Sequence, residues 1–458
     1  MKKEYLSLDN VDGSLIELSG LHHVKYGEIV SITNSDTKEE LVGRVIGIAD
    51  DKATVQIFGE SMGVSTENLR VVFEGRPFEI PLSPAILGRR FSGIGQAIDN
   101  GGPIYSGEFY NVNGQPMNPV AREYPRNFIQ TGIRAIDSVM TLIRGQKLPI
   151  FSGSGLPHNE LAAQIIRQAN IADSGKDGED FAVVFCGMGL KREVASFFTD
   201  SFMEAGVMDK VVIYMNYADD PIMERIIAPK CALTAAEYLA FEQHKHVLVI
   251  MTDMTSYGES LREVSSQRQE VPSRKGYPGY LYSDLAALYE RAGMIRGVEG
   301  SVTLIPILTM PSDDITHPIP DLTGYITEGQ IVLSRDLNGQ GIYPPVNILD
   351  SLSRLMKDGI GEDYTRKDHA DVSAQLFASY SRCIEVRSLA QIIGEEELSE
   401  GDQKILEFGK RFENEFIGQG FNESSTIGET LDKAWELLRI LPKDSLVRVD
   451  PKLLEEFY

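Results

Sequence analysis

The run FSGSGLPHNELAAQI, Phe151 to Ile165, has the layout of a phosphate-binding loop and lacks most of its chemistry. An apolar segment, Lys147–Phe151, leads into a small-residue turn and then into a helix-like run. In the motif G-x-x-x-x-G-K-[ST], backbone N–H groups cradle phosphates, the Lys reaches the outer phosphates and the hydroxyl takes Mg²⁺. Here Gly153, Ser154 and Gly155 keep the turn, but Ser152 stands at the first Gly, and Pro157, His158 and Asn159 replace Gly-Lys-Ser/Thr. Pro157 has no N–H to offer. His158 is mostly neutral at pH 7 and shorter than Lys. Asn159 can cap a helix, but its amide matches a hydroxyl–Mg²⁺ arrangement poorly. Taken alone, the stretch also reads as an ordinary strand–turn–helix connection.

Two other places bear on phosphate chemistry. HVLVIMTD (246–253) is an apolar run ending in Asp253, where a P-loop ATPase presents its second Mg²⁺-associated acid. FCGMGLKRE (185–193) is a strand followed by a Gly-rich turn, where such an enzyme places the carboxylate that orients attacking water. The corresponding residue is Leu190, which cannot accept a proton. The chemistry is thus present in outline and missing at the groups that perform it.

The elements around these residues are legible. Gly27–Thr33, Glu40–Ala49 and Ala53–Phe58 are short β-rich runs that suggest a small barrel or sandwich. Further on, apolar runs 181–187, 210–216, 246–253 and 301–308 alternate with helical stretches such as Arg192–Glu204 and Thr234–Gln243. Near-continuous Val/Ile runs predict strands covered on both faces, hence a mostly parallel α/β sheet with ligands at the carboxyl ends of its strands. After about residue 353 the strand runs stop, and His369–Leu389, Gln403–Phe416 and Ile427–Leu441 have helical spacing. The expected domains are 1–75, a β-barrel; 76–353, α/β; and 354–458, a helical bundle.

Bulk properties narrow the function. The 458 residues carry a net charge of −23, which disfavours nucleic acid as a general partner. Three scattered cysteines, Cys186, Cys231 and Cys383, argue against a disulfide scaffold. The histidine pairs His22–His23 and His244–His246 lack a second pair at zinc spacing and read as surface or edge-strand residues, so no metal is expected. MKKEYLSLDN has no apolar signal core, which predicts a soluble chain that meets a membrane only through partners.

Five segments in order resemble the rotary ATPase α/β family, and within it the non-catalytic B subunits of the vacuolar/archaeal type, bacterial or archaeal in form. The most specific is PPVNILDSLSRL, Pro344 to Leu355. The others are 88–104, 128–155, 265–286 and 317–335. The resemblance implies a β-barrel, a RecA-like nucleotide domain with a degenerate loop, and a helical C-terminal domain. It implies a ring of alternating B and catalytic A subunits around a central shaft, with peripheral stalks, on the cytoplasmic side of a membrane rotor that passes H⁺ or Na⁺. Mg-ATP or ADP is then held mainly by A, at the interface. Gly153, Ser154, Gly155, Pro157, His158, Asn159 and Asp253 become a weak or vestigial site.

By the same resemblance, Arg354 is an arginine finger acting in trans, and the acidic run 394–403, with Glu395, Glu396, Glu397 and Glu400, faces the shaft. Each has a plainer alternative: a surface arginine paired with a helix carboxylate, and a solvated helix–helix turn. GYPGYLY (276–282) reads as structural packing. An active ATPase or helicase of related fold would need the cation and carboxylate that His158 and Leu190 replace. A structural spacer without a finger, or a weak nucleotide-binding regulator, would share every fold-level feature.

Overall fold

The computed structural model describes residues 3–5, 9–12, 14–21, 23–34, 38, 40–49, 51–59, 69–105, 108–170 and 181–458. His22 lies outside them.

The N-terminal region is an antiparallel seven-stranded sheet. Its strands run, in spatial order, Lys3–Tyr5, Leu69–Phe73, Ile29–Asn34, Glu40–Ala49, Lys52–Ile57, Leu15–Leu18 and Asn10–Asp12. Alternation is clean where one face is wet: in Leu69–Phe73, Leu69, Val71 and Phe73 are buried while Arg70 is exposed. The inward residues form a core of their own that includes Ile16, Val30, Val45, Val55 and Val71. This is the expected β-barrel domain, with three runs read correctly and four strands added: Lys3–Tyr5, Asn10–Asp12, Leu15–Leu18 and Leu69–Phe73.

The middle of the chain is built on an eight-stranded sheet. In spatial order its strands are Val346–Ser353, Gly329–Leu333, Ile150–Gly153, Ser301–Met310, His246–Thr252, Phe181–Leu190, Val211–Tyr217 and Arg90–Ser92. All neighbouring pairs are parallel except Gly329–Leu333 with Val346–Ser353. Ser301–Met310 is buried at every residue but Thr309, as a strand between two helical layers requires.

Helix Arg192–Glu204 spans the expected residues. The helical stretch expected at Thr234–Gln243 instead begins at Ile222, runs through Pro229 and continues as a π-helical segment, Tyr238–Glu242. Pro229 had masked the first half, since a proline inside a helix removes an N–H and usually marks an end. His246 is not on an edge: it opens a central strand, with Nδ1 2.9 Å from Ser301 Oγ. His23 and His244 are exposed, at positive φ.

After Ser353 the chain is helical, with helices His369–Ile393, Glu400–Arg411 and Ile427–Leu438. The last begins with a reciprocal capping box between Thr426 and Glu429, worth about 1 kcal/mol. These helices have no separate core. Val372, Leu376, Phe408, Phe412 and Trp435 belong to one apolar cluster with Ile150, Ile165, Phe185 and Phe198 of the sheet and its helices. All three cysteines are free and buried. Among the described residues no acid/His/Cys group could hold a metal ion, and no helix is long and apolar enough to cross a membrane.

Candidate functional site

The Ile150–Gly153 strand delivers the chain to the carboxyl end of the sheet, where it turns into helix His158–Gln168. Ser152 and Gly153 lie opposite Thr309 and Met310 of the next strand. One strand further, Thr252 ends the His246–Thr252 strand and Asp253 caps helix Met254–Gln267. The degenerate loop and Asp253 are thus brought together, as expected of a nucleotide-binding sheet.

The backbone shows what remains of a phosphate cradle. Gly155 takes φ +79°, a turn that favours glycine. Pro157 occupies the N-cap position of the following helix and gives it no side-chain bond. The His158 N–H is spent on Leu156 O at 2.9 Å, and the Leu156 N–H on Gly153 O at 3.1 Å. Among the described residues, the exposed Ser154 and Gly155 N–H groups of this turn have no acceptor in the chain, and neither do those of Asn159 and Glu160 in the first helical turn. One donor is absent and two are used internally. Asn159 does not cap the helix: it lies inside the first turn, and its Oδ1 is buried without a partner.

The side chains follow suit. His158 Nδ1 lies 3.0 Å from Ser152 Oγ. Burial holds its imidazole below the ordinary value, against the opposing pull of the Asp253 and Glu160 carboxylates, so it is neutral at pH 7. Asp253 Oδ1 accepts the N–H groups of Thr255 at 2.8 Å and Thr309 at 3.1 Å. That acid is therefore a helix cap and a strand clasp. Leu190, at the end of its strand, is buried in the apolar core.

A pair that sequence reasoning missed covers the loop. Arg335 Nε and Nη2 donate to Asp313 Oδ2 and Oδ1 at 2.7 and 2.9 Å, and Nη2 also donates to Ser154 O at 3.0 Å. Nothing in the local sequence marks either residue, because they come from two different strand-end segments.

Arg354 stands at the opposite end of the sheet. Ser353 pairs with Gly329, the first residue of a parallel strand, so Arg354 lies at the amino edge and the loop at the carboxyl edge. Its N–H donates to Glu328 O at 2.9 Å and its Nη1 to Thr327 O at 3.3 Å. The backbone there is fixed from both sides. Gln146 Nε2 donates to Ser353 Oγ at 2.9 Å, and Lys147, 3% exposed, pairs with Glu328 at 2.7 Å and Glu290 at 3.0 Å. The Arg354 side chain is exposed, and no carboxylate of the described residues pairs with it. Among the described residues no helix carboxylate pairs with it.

Glu395, Glu396 and Glu397 form a 3₁₀ turn after the Gly394 cap, and Glu400 opens the next helix; all four are exposed. Leu389, Ile392 and Ile393, on the preceding turns, are exposed too, Ile392 by 81%. In 276–282, Tyr277 is buried as expected of packing, whereas Tyr280 and Tyr282 are 37% and 51% exposed.

Comparison with known proteins places these features. Residues 132–353 match the model of the ATP synthase alpha/beta family nucleotide-binding domain, 10–75 that of its beta-barrel domain, and 358–458 the C-terminal domain of V and A type ATP synthase. The chain is 64% identical, over all of its length and 99% of the relative's, to a V-type ATP synthase beta chain 2 of Clostridium tetani. It is 54% identical, over all of its length and 98% of the relative's, to the B subunit of an A-type ATP synthase of Aeropyrum pernix. Among solved structures it resembles an ATP synthase subunit, NeqB, from Nanoarcheaum equitans, at 38% identity and TM-score 0.74, covering 93% of this chain and 98% of that one.

Proposed function

This chain belongs to the ATP synthase alpha/beta family as a B (beta) subunit of the V/A type, and on that premise we propose that it is non-catalytic and lends Arg354 to a nucleotide gripped by a neighbour. The neighbour is a catalytic A subunit alternating with it in a ring, coupled through shaft and stalks to H⁺ or Na⁺ movement. The observation that carries the reading is the placement of Arg354. It lies across the sheet from this chain's own loop, exposed, with no carboxylate of the described residues on it. Apart from one donor bonded to Thr327 O, that guanidinium is free to meet a ligand held by another chain. Its permanent charge and planar donors suit the spread charge of a transferred phosphoryl group, an effect worth roughly 10³–10⁵ in rate.

The degenerate loop does not fit Mg-nucleotide. It offers no Lys, a neutral His158, a proline in place of a donor and an Asp253 already committed to two N–H groups. No step is assigned to it, and the isolated chain binds ATP weakly. The exposed acidic turn beside Ile392 and Ile393 supports a surface that leans on a partly cationic, partly apolar shaft.

The test is a reconstituted ring. Arg354→Lys keeps the charge, loses the fork, and should leave assembly intact while ATP turnover falls by roughly 10²-fold or more. Normal turnover in that ring would reduce this chain to a spacer. ATP hydrolysis by the purified chain alone would overturn the non-catalytic assignment.

A further inference from the structure

The missing cation and donors account for weak attraction; the structure also contains a group that repels. The turn Pro311–Asp313 follows the Ser301–Met310 strand at the carboxyl edge of the sheet. Ser312 and Asp313 both take φ +56°. Two successive non-glycine residues in the left-handed region are costly, and such conformations persist only where the surroundings hold them. Arg335 meets the second of them, Asp313, with a two-pronged ion pair. It fixes the Asp313 carboxylate against the loop so closely that a Cβ built on Gly153 would overlap Asp313 Oδ1 and lie 2.7 Å from Arg335 Nη2. Arg335 Nη2 is anchored to the loop itself, through Ser154 O at 3.0 Å. The pair is about half exposed, so it closes the mouth of the turn without joining the core.

We infer that Asp313, clamped by Arg335 over Gly153, is the specificity residue that keeps phosphate chains out of the degenerate loop. This deepens the proposed weak binding and rests on that reading. A fixed carboxylate beside the open Ser154 and Gly155 N–H groups opposes any polyanion approaching them, and it neutralises the guanidinium that reaches the loop. Removing the carboxylate does two things at once. The two N–H groups become approachable, and Arg335 becomes a free cation beside the loop. The fork of Arg335 can then pair with a phosphate as it now pairs with Asp313. The ligand class is an inorganic or nucleoside polyphosphate, and the smallest probe is pyrophosphate.

Titration calorimetry of the full chain with inorganic pyrophosphate tests this. Asp313→Asn keeps the shape and removes the charge. Asp313→Gly also suits φ +56° and so folds without the strain of the parent. Both should bind pyrophosphate about tenfold or more tightly than the parent. Asp313→Gly combined with Arg335→Ala should lose that gain. If both single variants bind no better than a weakly binding parent, the Asp313 assignment is overturned and the weak-binding reading stands. A gain that survives Arg335→Ala would overturn the role given to Arg335. Micromolar binding by the parent itself would overturn the weak-binding reading and the inference with it.

Discussion

Ser152 Oγ and His158 Nδ1 close on each other at 3.0 Å, tying the end of a strand to the start of the helix that follows it. In a working phosphate loop these two positions are a glycine and a lysine that reaches outward. Here the side chain turns back and makes a structural bond. The loop is thereby converted from a gripping device into a stitched corner of the fold.

That conversion predicts the behaviour of His158→Lys. The substitution adds a cation but no N–H, since the backbone donor at 158 stays on Leu156 O and Pro157 still has none. The new ammonium has the Asp253 and Glu160 carboxylates to answer before it meets a ligand. ATP affinity measured by calorimetry should rise less than tenfold, and the lost Ser152 bond should lower stability by about 1 kcal/mol in denaturant melts.

Arg134 gives a sharper stability prediction. It is 8% exposed and reaches from the nucleotide-binding domain to Glu423 at 2.5 Å, Gly418 O at 2.9 Å, and Phe416 O and Ser425 Oγ at 3.3 Å. These acceptors all belong to the helical end of the chain. Arg134→Ala should cost about 2–4 kcal/mol, because the buried acceptors at Phe416 and Ser425 lose their partner along with the exposed Glu423 carboxylate. Arg134→Lys should recover less than half of that, since one ammonium cannot replace a guanidinium at four separate oxygens. Denaturant melts of the three proteins would read both figures.

His369 sets a pH dependence. It is fully buried; Nε2 donates to Ser138 O at 2.9 Å and Nδ1 lies 3.0 Å from Thr365 Oγ1. Burial pushes its value down to about 4, with a smaller opposing pull from its hydrogen bond to Ser138 and from Asp368. The unfolded chain, titrating near 6.5, therefore takes up this proton first as pH falls. Stability should be full above pH 6.5 and decline steadily to pH 4, by on the order of 3 kcal/mol. In His369→Gln that component is absent, so the parent-minus-variant difference in melting midpoint should slope across this window and be flat above it. A flat difference throughout would mean the imidazole accepts its proton in place.

The acidic turn predicts a salt-dependent contact. Replacing Glu395, Glu396, Glu397 and Glu400 by Gln should weaken shaft affinity several-fold at low ionic strength and much less at about 0.5 M salt, because exposed charges are screened. Stability should not move, since all four side chains are exposed and, among the described residues, only Glu400 has an ion-pair partner, Lys404 at 3.7 Å. Unchanged affinity at low salt would make the run a solvated turn and nothing more.

How much of this could be read from residues alone depended on range. The strand core 181–187 and Arg192–Glu204 were legible because their patterns are local and uninterrupted; the strand's last residues, Met188, Gly189 and Leu190, were not, because the glycines read as a turn where the structure carries the strand through with an irregularity. The first half of Ile222–Glu237 was not, because Pro229 breaks the pattern and only burial on both sides carries the helix through it. Arg354 was found through its neighbours in the sequence, yet its position across the sheet from Gly153 follows from one antiparallel pairing that no local pattern encodes. The clamp of Asp313 by Arg335 over Gly153 joins three segments far apart in the chain, and Asp313 and Arg335, each taken alone, are ordinary surface groups.

The shared apolar cluster has a mechanical meaning. Because Phe412 and Trp435 sit in the same interior as Ile150 and Phe185, the change from strands to helices after Ser353 is a change of secondary structure without a seam. The last hundred residues are therefore not a detachable module: a chain cut at their root would leave two fragments with torn interiors.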